Sequence, residues 1–128
     1  MRTLVLAGDD KLGRSLLHRI EKAGLPAGEL VLALCSSPGP RRLFKLLLRG
    51  SLKLSWLWPM IRAEWSRPAQ AAGSWFRVST NAGFLSLIRE THSERVLLYR
   101  AGLIVGKDVL ESGVEILNVH CAQLPDFG

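Results

Sequence analysis

Five short apolar runs, set apart by turn residues and by stretches of helical periodicity, constrain this chain more than any other feature. The runs are Thr3–Ala7, Leu30–Cys35, Trp75–Ser79, Arg95–Tyr99 and Val114–Val119. Strands this short and this continuously apolar fit a sheet that is covered on both faces. Between the first two runs, Leu12, Leu16, Leu17 and Ile20 recur at helical spacing over Lys11–Ala23, and Gly24 and Pro26 follow as a stop. Thr80 or Asn81 offers a side-chain oxygen to cap a helix over Ala82–Thr91, and Asp108–Ser112 reads as a short helix stopped by Gly113. Strands alternating with helices and joined by right-handed crossovers predict an α/β fold: a Rossmann-like parallel sheet with helices on both faces. Ligands of such sheets gather where strands end and helices begin. Those places are Gly8–Lys11, Cys35–Gly39, Ala101–Val105 and Asn118–Pro125.

The chain of 128 residues is 48% hydrophobic and 22% charged, enough apolar content to enclose one core. Cys35 and Cys121 lie far apart with no CxxC and no His/Cys cluster, so neither a disulfide framework nor a zinc site is expected. Together with an opening segment too short and glycine-bound for a signal peptide, this points to the cytoplasm.

The formal charge of +6 comes from one segment. Arg41, Arg42, Lys45, Arg49, Lys53, Arg62 and Arg67 stand there against the single acid Glu64, while the rest of the chain is balanced. The same stretch carries Trp56, Trp58, Trp65 and many leucines. With Lys45, Arg49 and Lys53 four apart on one expected helix face, and Pro59 following, it suits a membrane span badly. Three readings remain. It is a helical insertion that packs its apolar side, the preferred one; an interfacial helix on a membrane; or a contact for an anionic partner such as a tRNA or a nucleotide-linked sugar.

Gly8-Asp9-Asp10-Lys11-Leu12-Gly13 has neither GxGxxG nor the P-loop spacing, and its two carboxylates would repel a phosphate. Asp9 and Asp10 are better suited to capping the following helix, which leaves a nucleotide-binding role least supported. Of the three histidines, His18 is expected on the exposed side of the first helix and His92 on a surface loop. His120 leaves the last apolar run two residues after Asn118, so strand alternation turns both toward one side. A carboxamide and an imidazole converging there suit a reaction that builds an oxyanion and moves a proton. A structural, hydrogen-bonded pair is the other reading.

The surroundings of that pair resemble the folate-dependent formyltransferase family. Ile116-Leu117-Asn118-Val119-His120-Cys121-Ala122-Gln123-Leu124-Pro125-Asp126-Phe127 is similar to its signature of an apolar strand, Asn-x-His and then Leu-Pro with an aromatic residue. Tyr99-Arg100-Ala101-Gly102-Leu103-Ile104-Val105 resembles the family's fourth strand and the loop whose main chain contacts the folate pterin. The likeness is specific over Val96–Phe127 and architectural over Met1–Ser79. Members include methionyl-tRNA, glycinamide ribonucleotide and sugar N-formyltransferases.

The resemblance implies that residues 1–128 form the amino-terminal part of a formyltransferase domain, with a basic, Trp-rich helical insertion at about 41–67. It also implies 10-formyltetrahydrofolate as formyl donor, an amine acceptor, Asn118 and His120 as catalytic residues, and Leu103, Ile104 and Val105 as folate-contacting. Cys121-Ala122 replaces the usual Pro-Ser, and Gln123 stands where an apolar residue is common. The family's catalytic aspartate would lie beyond Gly128, so the expectation for this stretch alone is little activity and a tendency to aggregate. The competing class is a non-catalytic binding or membrane-peripheral module that uses the basic segment.

Overall fold

The computed structural model describes residues 1–24, 26, 28–36, 44–45, 47–50 and 54–119. Five strands, β1 (Thr3–Gly8), β2 (Leu30–Cys35), β3 (Phe76–Val78), β4 (Arg95–Tyr99) and β5 (Glu115–Val119), form one sheet in the order β3-β2-β1-β4-β5. Every pairing is parallel. Among the described residues, the strands are connected by α1 (Lys11–Lys22), α2 (Leu54–Ser66), α3 (Asn81–Glu90) and α4 (Lys107–Leu110), with a helical turn ahead of α2. The fold is the α/β, Rossmann-like arrangement that the alternating pattern predicts.

Alternation along the strands divides the apolar side chains into two cores. Leu4, Leu6, Ala33, Cys35, Val78, Val96 and Leu98 face one way and pack with Phe84, Leu87 and Ile88 of α3 and Val109 of α4. Val5, Ala7 and Leu34 face the other way, against Leu17 of α1 with Ile20 beside it. The central strand β1 is buried from Leu4 to Gly8, as a strand covered on both faces must be. Cys35 is a free, buried thiol.

The helix starts follow from capping chemistry. Asp10 accepts a hydrogen bond from the Gly13 amide at 2.7 Å, and Thr80 accepts one from the Gly83 amide at 3.1 Å. Both acceptors satisfy an amide that the helix itself leaves without a partner. Asp9, expected to cap alongside Asp10, does something else: its carboxylate bonds Arg14 and Arg77. Glycine is required twice at the end of β1. A side chain at Gly8 would meet the Arg100 carbonyl, and one at Gly13 would meet the Gly8 carbonyl.

One expectation for the basic segment fails. Gly50, at φ 67°, donates its amide to the Leu47 carbonyl and closes the helical turn that holds Lys45 and Arg49. A separate helix begins at Leu54, so no single helix carries a ladder of Lys45, Arg49 and Lys53; Lys53 itself lies outside the described residues. The described side chains of α2 are unevenly covered, with Leu57, Ile61 and Glu64 half-buried. None of the described side chains of α2 is buried, and Trp58, Met60 and Trp65 stand 63%, 59% and 75% exposed. No helix among the described residues is long and apolar enough to cross a membrane.

Candidate functional site at the carboxyl edge of the sheet

The chain runs outward from β1 in both directions, to β2 and β3 on one side and to β4 and β5 on the other. The reversal falls between β1 and β4, and a ligand crevice opens above such a point in open parallel sheets. Here polar side chains bridge it. Arg100, directly after β4, donates from Nε to the Asp10 carboxylate at 2.9 Å. Asp9 binds Arg14 at 2.7 Å and, from β3, Arg77 at 3.0 Å, while its own amide donates to the Cys35 carbonyl. The residues that leave β1 therefore tie together the ends of β2, β3 and β4.

Charge–charge hydrogen bonds explain the titration of Asp9. The bond from the Arg14 guanidinium holds its carboxyl below the usual value of 3.8; partial burial opposes this, and the Arg77 bond adds to it. Because Asp10 already fills the amide position at the start of α1, this helix end is a poor phosphate site. The absence of a glycine fingerprint pointed the same way.

One stripe of α1 organises the chain that follows α2. Lys11 donates from Nζ to the carbonyls of Glu64 (2.6 Å) and Arg67 (3.0 Å), Arg14 to that of Gln70 (3.1 Å), and His18 Nε2 lies 2.8 Å from that of Ala71. Lys11, Arg14 and His18 follow the three- and four-residue spacing of one helix face. The His18 ring also meets Trp75 edge-to-face at 4.8 Å, and Trp75 donates to Glu21 at 2.6 Å. His18 is thus a half-buried clamp and not the solvent-exposed side chain expected. Its helical position was legible, but the segment that comes to cover it lies about fifty residues further along. Between this clamp and the β1 loop lies a cleft of about 360 Å³ lined by Asp9, Asp10, Lys11, Arg14, Glu64 and Gln70.

Asn118, the described member of the Asn-x-His pair, sits on the other half of the sheet. Asn118 is exposed, one residue from the end of edge strand β5, and pairs in register with the buried Leu98. Register partners on parallel strands point to the same side, so Asn118 belongs to the face covered by α3 and α4. Leu103 and Val105, which follow β4, pack their side chains against the core on that face. Ile104 between them is 87% exposed. His120 lies outside the described residues. His92 sits exposed in the turn after α3, as expected.

Sequence reasoning did not find what holds the loop after β4. Asn81, the first residue of α3, donates from Nδ2 to the Ile104 carbonyl at 3.0 Å and accepts at Oδ1 from the Gly106 amide at 2.8 Å. One carboxamide thus satisfies a donor and an acceptor two residues apart and fixes the loop against the helix start. As a possible cap Asn81 was visible; as a bracket for residues 23 and 25 positions away it was not.

Comparison with protein-family models, with curated proteins and with solved structures gives no match for this chain.

Proposed function

We propose that this chain belongs to an enzyme that transfers a formyl group from 10-formyltetrahydrofolate to an amine. The observation that carries the reading is an exposed asparagine at the carboxyl end of a parallel edge strand, heading the sequence Asn118-Val119-His120. Its side of the sheet also bears the loop of Leu103, Ile104 and Val105. That loop suits a flat heterocycle: Leu103 and Val105 anchor it, Asn81 fixes its main chain, and the Ile104 side chain faces outward.

When bound, 10-formyltetrahydrofolate supplies the formyl carbon that the acceptor amine attacks. Asn118 donates an amide hydrogen to the formyl oxygen as charge builds on it, and preorganisation makes that bond stronger in the transition state. His120, two residues on, takes the proton that the attacking amine must lose and passes it toward the departing folate nitrogen. The acceptor is an amine on a sugar nucleotide, a ribonucleotide or an aminoacyl-tRNA. The reaction sits in one-carbon metabolism in the cytoplasm.

Turnover of 10-formyltetrahydrofolate by the complete gene product, measured with each acceptor class, tests the reading. Asn118→Ala is expected to lower kcat by about 10²–10³-fold, the usual loss for one oxyanion donor. No transfer to any amine by the intact protein, with Asn118→Ala leaving folate binding and turnover unchanged, sinks the assignment.

A further inference from the structure

We propose that α2 and the helical turn before it form a docking surface for the anionic face of a lipid bilayer. The proposal is independent of the formyl-transfer reading. Trp58, Ile61, Arg62 and Trp65 follow the i, i+3, i+4, i+7 spacing of one helix stripe. Both tryptophans of that stripe are more than half exposed, as are Phe44, Leu48 and Met60 nearby in sequence. The last turn of α2 is tied down: Lys11 holds the carbonyls of Glu64 and Arg67, and the Glu64 carboxylate is paired to Arg67 at 3.0 Å. The helix is therefore held at its last turn while Trp58, Met60 and Trp65 meet water.

Large apolar side chains left in water call for a cover, and charge decides which one. Among the described residues of the segment, Lys45, Arg49, Arg62 and Arg67 stand against the acid Glu64, and that acid is paired to Arg67. Two copies facing each other would bring like charge against like charge. A nucleic acid would satisfy the cations, yet give Leu48 and Met60 nothing to bury against. A bilayer rich in acidic headgroups satisfies both demands, with cations at the phosphates and tryptophans at the headgroup–acyl boundary. At 13 residues α2 is about 20 Å long, so it lies along the surface and does not cross.

Co-sedimentation of the full chain with vesicles of phosphatidylcholine and phosphatidylglycerol in equal parts, against phosphatidylcholine alone, tests this. Binding is expected only to the anionic vesicles, with a blue shift of tryptophan emission. The double variant Trp58→Ser/Trp65→Ser is expected to lose binding by about tenfold or more and to lose the shift. Lys45→Gln and Arg49→Gln, each at an exposed site, are expected to lower binding about fivefold apiece. Circular dichroism identical to that of the parent chain qualifies each variant. Equal binding to neutral vesicles overturns the proposal, as does full binding by the tryptophan variant. Tighter binding to single-stranded RNA than to anionic vesicles at the same ionic strength overturns it too. So does self-association that hides both tryptophans.

Discussion

The two tryptophan-bearing helical neighbourhoods of this protein are built on opposite principles. Around α1, a half-buried His18 meets Trp75, the indole N–H is donated to Glu21, and Leu17 is fully buried beneath. Around α2, Trp58 and Trp65 are exposed and the helix is fastened through backbone carbonyls at one end. Similar residue types are used in both. What differs is the surface each is given to pack on: α1 lies across β1 and β2 with Leu17 in the core, while α2 leaves Trp58, Met60 and Trp65 to whatever approaches from outside. An apolar helix is thus not by itself a core element, because burial needs a complementary face.

Substitutions at both places turn that contrast into numbers. The largest effect is expected at Phe84, fully buried between α3 and the sheet. Phe84→Ala is expected to lower unfolding free energy by about 3–5 kcal/mol in urea titration. Gly13→Ala should come next, at about 3 kcal/mol, because the new methyl group meets the Gly8 carbonyl and the β1–α1 turn has to open. Melting of Gly13→Ala within a degree of the parent would show that α1 is as loosely seated as α2, and the comparison would fail.

Asp9→Asn is a smaller change, expected to cost about 1–2 kcal/mol at neutral pH through weakened bonds to Arg14 and Arg77. Its sign is fixed by linkage. The folded carboxyl titrates below 3.8, chiefly through Arg14, so its contribution is complete above 3.8 and is lost as pH falls through the lower folded value. Stability of parent and Asp9→Asn should therefore converge in acid; a gap that stays constant down to the lowest pH would remove the charge from the explanation. At the bottom of the scale, Trp65→Ser should change stability by no more than about 0.5 kcal/mol. A loss as large as that of Phe84→Ala would place Trp65 in a core.

The sheet was legible because each strand pattern is local. Leu30–Cys35 and Arg95–Tyr99 have the bounds read from their apolar runs, and the other strands differ by a residue or two. Caps were equally readable, since Asp10 and Thr80 act on amides three residues away. The site was legible only in part. Asn118 lies at the sheet's carboxyl edge, on the face alternation assigns to it, but neither Asn81's hold on residues 104 and 106 nor Lys11's hold on residues 64 and 67 leaves a local trace.

Sequence by itself determined the α/β alternation, the capped helix starts, the concentration of positive charge in 41–67 and the position of Asn118 near a strand end. These depend on neighbours within a turn or two of chain. Tertiary structure decided the rest: that His18 is covered, that Gly8 must be bare beneath Arg100, and that Trp58 and Trp65 of α2 meet water. Such outcomes depend on which surfaces come together across tens of residues, and spacing along the chain carries no record of that.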